Sequence, residues 1–370
     1  MKNLAPYRLI ISGGGTGGHI FPAIAIANAF RERHPDSHIL FVGARGRMEM
    51  TRVPEAGYEI IGLWISGIQR SFTLSNLMFP VKLVVSYVRA LVIVRRFKPH
   101  VVVGTGGFAS GPMMIAATRS KVPALIQEQN SFAGLANKKV ANKVSKVCVA
   151  YEGMEKYFPA SKIVLTGNPV RKDILHVKEK TEKGKIHFGF EDSHRTLLII
   201  GGSLGARTIN ESILAGIDKL IDAGVQVIWQ TGKAYYETVH GQLEKYDKRK
   251  LRVFDFLKEM DLAYAAADVV ISRSGALAVS ELCIANRPCI LVPSPNVAED
   301  HQTKNALALA EKDAAVMVAD KDARARLVDE ALKLLFDDQR AKKLSENISG
   351  LARPRATEDI VNEIEKLITV

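Results

Sequence analysis

The sequence predicts an α/β protein made of two Rossmann-like domains whose parallel sheets face an interdomain cleft. Three observations predict it. Short apolar strands alternate with helix-length segments along the chain, the signature of βαβ units and parallel pairing. A strand, a glycine loop and a helix open each half, at residue 8 and again at residue 195. The 370 residues, 47% hydrophobic and 24% charged, suffice for two cores of ordinary size.

In the first half, Arg8–Ser12 reads as a strand leading through glycines into a helix over Ile20–Arg33, and His38–Val42 reads as the second strand. Pro80 suits the first turn of a long helix that runs to about Phe97. Buried-type strands follow at His100–Val103, Ala124–Gln127, Lys146–Val149 and Ile163–Thr166. Residues 176–194 are charged and poor in bulky apolar groups, so they read as a surface loop near the junction. The second half brings strands at Arg195–Ile200, Val225–Gln230, Arg252–Phe254, Val269–Ser272 and Pro288–Val292, with a helix from about Arg207. Helical spacing of Ile360, Val361, Ile364, Leu367 and Ile368 marks a last helix. The expected domains are 1–168, 169–352 and a C-terminal helix in 353–370, a candidate to pack back on the first domain.

Charge is unevenly placed. Residues 1–168 hold 21 Lys and Arg against 8 Asp and Glu, and the remainder holds 30 against 31. The first half should therefore face something anionic: nucleic acid, a phosphorylated substrate or the cytoplasmic leaflet. The three cysteines, Cys148, Cys283 and Cys289, lack metal-site spacing and read as reduced thiols of a cytoplasmic protein. No signal peptide is expected, because Met1–Arg8 is polar. Val81–Val94 is interrupted by Lys82 and Arg89 and falls short of the roughly 18 to 20 apolar residues of a span.

Gly13, Gly15 and Gly18 formally satisfy GxGxxG between a strand and a helix. Alone this suggests a dinucleotide site. The second strand, however, ends in Val42-Gly43-Ala44-Arg45, with no acid for a ribose, although Arg45 keeps an NADP-dependent reductase open as an alternative. His19 and Ile20 replace the Lys and Ser/Thr of a P-loop. Similar loops stand at Gly104–Phe108 and Gly201–Gly205. Three such loops at strand ends point to a cleft that handles a pyrophosphate, with helix termini as donors. His19, at the start of the first helix, is a candidate base kept neutral there.

In the second half, Ser274-Gly275-Ala276-Leu277-Ala278-Val279-Ser280-Glu281 follows a strand. Its small residues permit close approach, and Glu281 suits two ribose hydroxyls. With Glu128-Gln129-Asn130, Thr166-Gly167-Asn168-Pro169-Val170-Arg171 and His301-Gln302-Thr303-Lys304-Asn305-Ala306, these segments resemble the bacterial MurG family of UDP-N-acetylglucosamine transferases, within glycosyltransferase family 28, in order and over nearly the whole chain.

The resemblance implies a GT-B fold and inverting transfer of GlcNAc from UDP-GlcNAc to the C4 hydroxyl of MurNAc in lipid I. The products are lipid II, made in peptidoglycan synthesis for cell shape and division, and UDP. Donor contacts are then implied for Thr16, Gly17, Gly18 and Asn130, and for Arg171, Ser203, Leu257, Ala276, Leu277, Ala278, Val279, Ser280, Glu281 and Gln302. His301 stands where the family often has a second glutamine, so Gln302 is the safer assignment. His19 is the expected base and Glu128 the runner-up. No Asp-x-Asp motif offers a metal site, so no structural metal and no tightly bound cofactor are expected, UDP-GlcNAc being a substrate.

A lipid diphosphate acceptor accounts for the basic half. Leu74, Leu77, Met78 and Phe79 stand near Arg70, Lys82, Arg89 and Arg96, and the last three recur every seventh residue, on one helix face. These predict a peripheral patch on the cytoplasmic face of the inner membrane, against anionic lipid. The alternative for Val81–Val94 is a core helix. The expected partners are UDP-GlcNAc, lipid I and the anionic membrane surface, with other cell-wall synthesis proteins as candidates. Nucleic acid is not expected, since no recognisable nucleic-acid module is present and 7% of residues are aromatic. A non-catalytic nucleotide-sugar binder and a transferase using another acceptor are the remaining alternatives.

Overall fold

A computed structural model describes residues 6–67, 78–202 and 204–369. The chain divides into two compact units, one running up to Val170 and resuming at Arg355, the other spanning Arg171–Pro354.

The first unit holds a seven-stranded parallel sheet in the order β3-β2-β1-β4-β5-β6-β7. Its strands are β1 (Arg8–Gly13), β2 (His38–Ala44), β3 (Glu59–Leu63), β4 (Val101–Gly106), β5 (Ala124–Glu128), β6 (Lys146–Val149) and β7 (Ile163–Leu165). Alternation sends Leu9 and Ile11 to one face and Ile10 to the other. On the first face they meet Ile20, Ile26 and Phe30 of the helix Gly17–Arg33. The last helix, Ala356–Ile368, adds Ile360, Val361 and Ile364 to that same cluster, so the end of the chain completes the core begun by its start.

The second unit has six parallel strands in the order β10-β9-β8-β11-β12-β13. They are β8 (Thr196–Ile200), β9 (Gln226–Gln230), β10 (Leu251–Phe254), β11 (Val269–Ser272), β12 (Cys289–Leu291) and β13 (Val316–Met317). Counted within the unit this is the order 3-2-1-4-5-6, the doubly wound arrangement that the first sheet extends by one strand. All three cysteines are free and buried, and burial pushes the Cys283 thiol up to about 12.

Two expectations need correction. Residues 176–194 are largely helical: a 3-10 segment, Lys172–Lys180, runs into the helix Thr181–Phe188, with Ile174, Val177 and Phe188 buried. Their sparse apolar groups suffice because the small-residue helix Met260–Ala266 packs closely on them. The helix Phe79–Phe97 starts beside Pro80 as expected, but it gives the core only Ser86, Ala90, Ile93 and Val94. Val81, Val84, Val85, Val88 and Val92 remain exposed, Val84 at 61% and Val88 at 53%, so most of its apolar surface is not core. Among the described residues no helix is long and apolar enough to cross a membrane. Leu74, Leu77 and Arg70 lie outside the described residues.

Replacing Ile364 by Ala should cost about 2–5 kcal/mol, the usual range for a fully buried aliphatic truncation. Chemical denaturation measures it. A loss below about 0.5 kcal/mol would show that the last helix contributes little to the core.

Candidate functional site

In the first unit, β1 ends at Gly13 and the chain turns through Gly14 and Gly15 to Thr16, an extended residue that caps the helix Gly17–Arg33. The neighbouring β4 takes in Gly104, Thr105 and Gly106, so the second glycine loop begins inside the strand, not after it. The two chain ends touch. The Gly14 N–H donates to the Gly106 carbonyl at 3.3 Å, and a Cβ on Gly107 would overlap the Gly14 backbone. Thr105 Oγ1 donates to the His19 carbonyl at 3.0 Å, fixing the first helical turn to β4.

His19 is held by a residue that follows β5. Its Nδ1 lies 3.1 Å from Gln129 Oε1. The Gln129 amide nitrogen donates to the Thr105 carbonyl at 2.8 Å and the Gln127 carbonyl at 3.2 Å, and it also meets Gln127 Oε1. The amide orientation is therefore set, and its oxygen faces the ring. An amide oxygen only accepts, so Nδ1 carries the proton and Nε2 is the basic atom of the neutral imidazole. Glu128, the other base candidate, is buried. Its Oε1 accepts from the Asn130 N–H at 3.1 Å and Asn130 Nδ2 at 3.4 Å, while Oε2 accepts from the Gly134 N–H and Asn137 Nδ2 at 2.9 Å each. This carboxylate organises the turn after β5.

The dinucleotide alternative weakens here. The Gly15 N–H, which a pyrophosphate would need, donates to Glu49, and Arg45 Nε donates to the Gly62 carbonyl at 3.1 Å.

In the second unit, Gly201, Gly205, Thr208, Arg273, Ser294 and Gln302 are among the residues lining a cavity of about 820 Å³ at the carboxyl ends of β8 and β11. Arg273 laces its wall: the guanidinium donates to the Val292 and Pro293 carbonyls at 3.0 and 3.1 Å and pairs with Asp320. Ser274 Oγ donates to the Gln302 carbonyl at 2.8 Å, and Gln302 Oε1 accepts from the Ser294 N–H at 2.9 Å. The helix Ala276–Ala285 is capped by Gly275 and carries Glu281 in its second turn. Tyr264 donates its hydroxyl to Glu281 Oε2 at 3.3 Å, and Arg171 Nε lies 3.6 Å from Oε1. Burial raises the Glu281 carboxyl above the usual range, and the Arg171 charge and the Tyr264 hydroxyl act against that shift. The Leu257 N–H donates to Gln230 Oε1 at 3.0 Å at the end of β9.

Comparison with known proteins decides the family. The description "Glycosyltransferase family 28 N-terminal domain" matches residues 9–149, and "Glycosyltransferase family 28 C-terminal domain" matches 196–360. The chain belongs to glycosyltransferase family 28. Its relatives include proteins named UDP-N-acetylglucosamine--N-acetylmuramyl-(pentapeptide) pyrophosphoryl-undecaprenol N-acetylglucosamine transferase. That of Cytophaga hutchinsonii is 58% identical, covering 100% of this chain and 99% of the relative. That of Parabacteroides distasonis is 57% identical, covering 98% of each. The crystal structure of Acinetobacter baumannii MurG is similar at a TM-score of 0.81 and 27% identity, over 98% of this chain and 100% of that one. A Neisseria meningitidis UDP-GlcNAc 2-epimerase shares the fold alone, with a TM-score of 0.64 and 14% identity, over 97% of this chain and 100% of that one. The family 28 chain thus has the GT-B fold.

Within this family 28 chain the expected residues fall into local groups. Thr16, Gly17, Gly18 and His19 share one helix start, and Asn130 sits on Glu128. Arg171 meets Glu281, the residue directly after Ala276–Ser280, whereas Gln302 is tied to the loops after β11 and β12. Ser203 lies outside the described residues. Among the described residues no group of three or more His, Cys, Asp or Glu could hold a metal. Sequence reasoning missed Gln129, Tyr264 and Arg273. Gln129 had a signal, four polar residues closing an apolar strand. Arg273 also had one, as the sole charge between Val269 and Ser280. Tyr264 had none.

A raised Glu281 pKa means that the native state holds its proton more tightly than the unfolded chain does. Ionisation therefore lowers stability as pH rises above the ordinary value of 4.5. Glu281→Gln should melt above the parent at pH 7–8, with the gap closing as pH falls towards 4.5, where the parent is also protonated. A gap of constant size in thermal melts across that range would contradict this.

Proposed function

We infer that this family 28 enzyme transfers GlcNAc from UDP-GlcNAc to the C4 hydroxyl of MurNAc in lipid I, giving lipid II and UDP with inversion at the anomeric carbon. The observation that carries this conclusion is identity of 58% over the full length with a relative named for the reaction.

In the mechanism, His19 Nε2 takes the proton of the acceptor hydroxyl as its oxygen attacks C1. The C1–O bond to UDP breaks, and its electron pair passes to the β-phosphate. The other ring proton stays on Nδ1 and is donated to Gln129 Oε1, which supports the tautomer such a base requires. On the donor side, Glu281 accepts the ribose hydroxyls and the Leu257 carbonyl meets uracil, its N–H already being engaged. Arg171 and the glycine loop before Arg207 face the developing diphosphate charge, where fixed donors count most. The turn Ala276–Ser280 and Gln302 border the sugar. Thr16, Gly17, Gly18 and Asn130 complete its contacts. Glu128, with four protein donors on its oxygens, serves better as a scaffold for that loop than as a base.

The enzyme works peripherally, on the cytoplasmic face of the inner membrane. Exposed Met78, Val81, Val84, Val85 and Val88 beside exposed Arg89 and Arg96 support this placement. Lys82 is half-buried, donates to Ser66 Oγ at 3.1 Å and lies 5.9 Å from the Trp64 ring centroid, so Arg89 and Arg96 are the stronger lipid contacts.

Labelled UDP-GlcNAc with a lipid I analogue should yield labelled lipid II, and UDP-GalNAc should not replace the donor. His19→Ala should lower kcat by about 10² or more while UDP affinity holds, as expected for a lost general base. Turnover retained within about threefold, far short of that loss, would remove His19 from the role.

Flotation tests the membrane patch. The protein should bind acidic vesicles several-fold better than neutral ones, each arginine near the surface contributing about 1 kcal/mol. Val84→Glu with Val88→Glu should weaken both. Equal binding to the two vesicle types would leave the electrostatic part without support.

A further inference from the structure

Glu49 is a buried carboxylate that the mechanism above does not use. It opens the short helix Glu49–Glu55 after β2, where a glutamate ordinarily reaches solvent, yet it is 1% exposed. Its Oε2 accepts the Gly15 N–H at 2.8 Å and its Oε1 accepts the Ala44 N–H at 2.9 Å. One carboxylate thus joins the first glycine loop to the end of β2.

The surrounding backbone is shaped to admit it. A Cβ on Gly14 would overlap the Glu49 carboxylate, and a Cβ on Gly43 would stand 2.5 Å from Glu49 Cγ. Gly43 lies in β2 and does not have a positive φ, so its lack of a side chain serves space alone. Two glycines, one in the loop after β1 and one in β2, therefore make room for one acid.

We propose that Glu49 is a positioning residue for the transfer, anchoring the Gly15 amide so that the loop presents Thr16–His19 in the reactive geometry. The inference rests on the reading of His19 as the base. A buried carboxylate is tolerated only when hydrogen-bonded, and two backbone donors meet that need. Glutamine cannot replace it, because its single oxygen serves one amide while its NH2 group confronts the other N–H donor. Bound to Glu49, the Gly15 amide is also withheld from an anionic ligand. The loop's task is then to aim the helix start. Displacement of a catalytic group by about 1 Å can reduce rate by about 10².

The test uses the full chain with Glu49→Gln, Gly43→Ala and His19→Ala. Gly43→Ala keeps the acid but pushes on its Cγ, so it moves the anchor without changing charge. Both Glu49→Gln and Gly43→Ala should lower kcat about tenfold or more, while the KM for UDP-GlcNAc stays within about twofold, the split expected when positioning and not donor binding is lost. Hydrogen exchange should quicken in the peptides spanning residues 10–20 and 43–50, the two segments that Glu49 joins, and remain unchanged elsewhere in the unit. Should Glu49→Gln fail to fold, Gly43→Ala alone decides. The proposal is overturned if both variants keep kcat within twofold, if the donor KM rises in step with the kcat loss, or if exchange quickens across the whole unit. Were Glu49→Gln to lose turnover and His19→Ala to keep it, the reading of His19 would fall, and Glu49 would stand as anchor of a loop serving another group.

Discussion

The contact on which the first unit's site depends is the one between the ends of β1 and β4. These strands flank the point where strand order reverses, the place at which doubly wound sheets usually open a crevice for a ligand. Here the backbones close instead. The register slips by one residue between Ser12 and Gly13, bringing Gly13 opposite Gly106, and the Gly14 N–H reaches the Gly106 carbonyl. Only glycine at 107 permits that approach, because any side chain there would strike Gly14. Closure lets the helix begin at once, and it holds His19 against Thr105 and Gln129, residues carried by β4 and the end of β5. The imidazole thus meets the Gln129 side chain, while Thr105 fixes the backbone that carries it.

The second unit has the same strand order and the opposite outcome. Its glycines at 201, 202 and 205 border a cavity of about 820 Å³. What joins the loops after β11 and β12 is Arg273, with side chains of Ser274 and Gln302. A largely buried guanidinium paired with Asp320 would be a doubtful source of stability by itself, since desolvation offsets attraction. The Val292 and Pro293 carbonyls share the Nη1 group with Asp320, so the ion pair is tied directly to the backbone after β12. Glu281 makes the complementary case. Burial disfavours its ionisation, and the Arg171 guanidinium and the Tyr264 hydroxyl act against that shift.

How much of this was legible follows from the physics of each signal. Strands of apolar residues ended by glycine state both their direction and their site, so the parallel Rossmann-like plan and the three glycine loops could be read directly. The helix Phe79–Phe97 left a surface and a core reading open, because its apolar residues flank the Lys82, Arg89 and Arg96 row on several sides and period alone does not choose between them. The helical stretch after Arg171 was hidden by charge. Its packing needs few large groups, since Gly184 brings it against the Leu262 carbonyl and Ala265 without a Cβ in the way. The edge strand Glu59–Leu63 was diluted by Glu59 and Gly62. Tyr264 and Glu49 were invisible for a different reason. Each looks like an ordinary helix residue until the fold brings a partner from 17 or 34 positions away.

The same view explains why the sign of charge differs between the halves. Acids are scarce in residues 1–168, and the two nearest the loops, Glu49 and Glu128, are buried and bonded to backbone amides and amide side chains, so neither screens a surface cation. In the second unit the acids are turned the other way: Asp261 meets Lys180, Glu211 holds both Arg207 and Arg324, and Asp320 takes Arg273. The near-neutral half is thus neutral by count, and many of its charges are paired locally. The basic half is basic by composition, 21 cations against 8 acids, and with Glu49 and Glu128 buried its surface is more basic still.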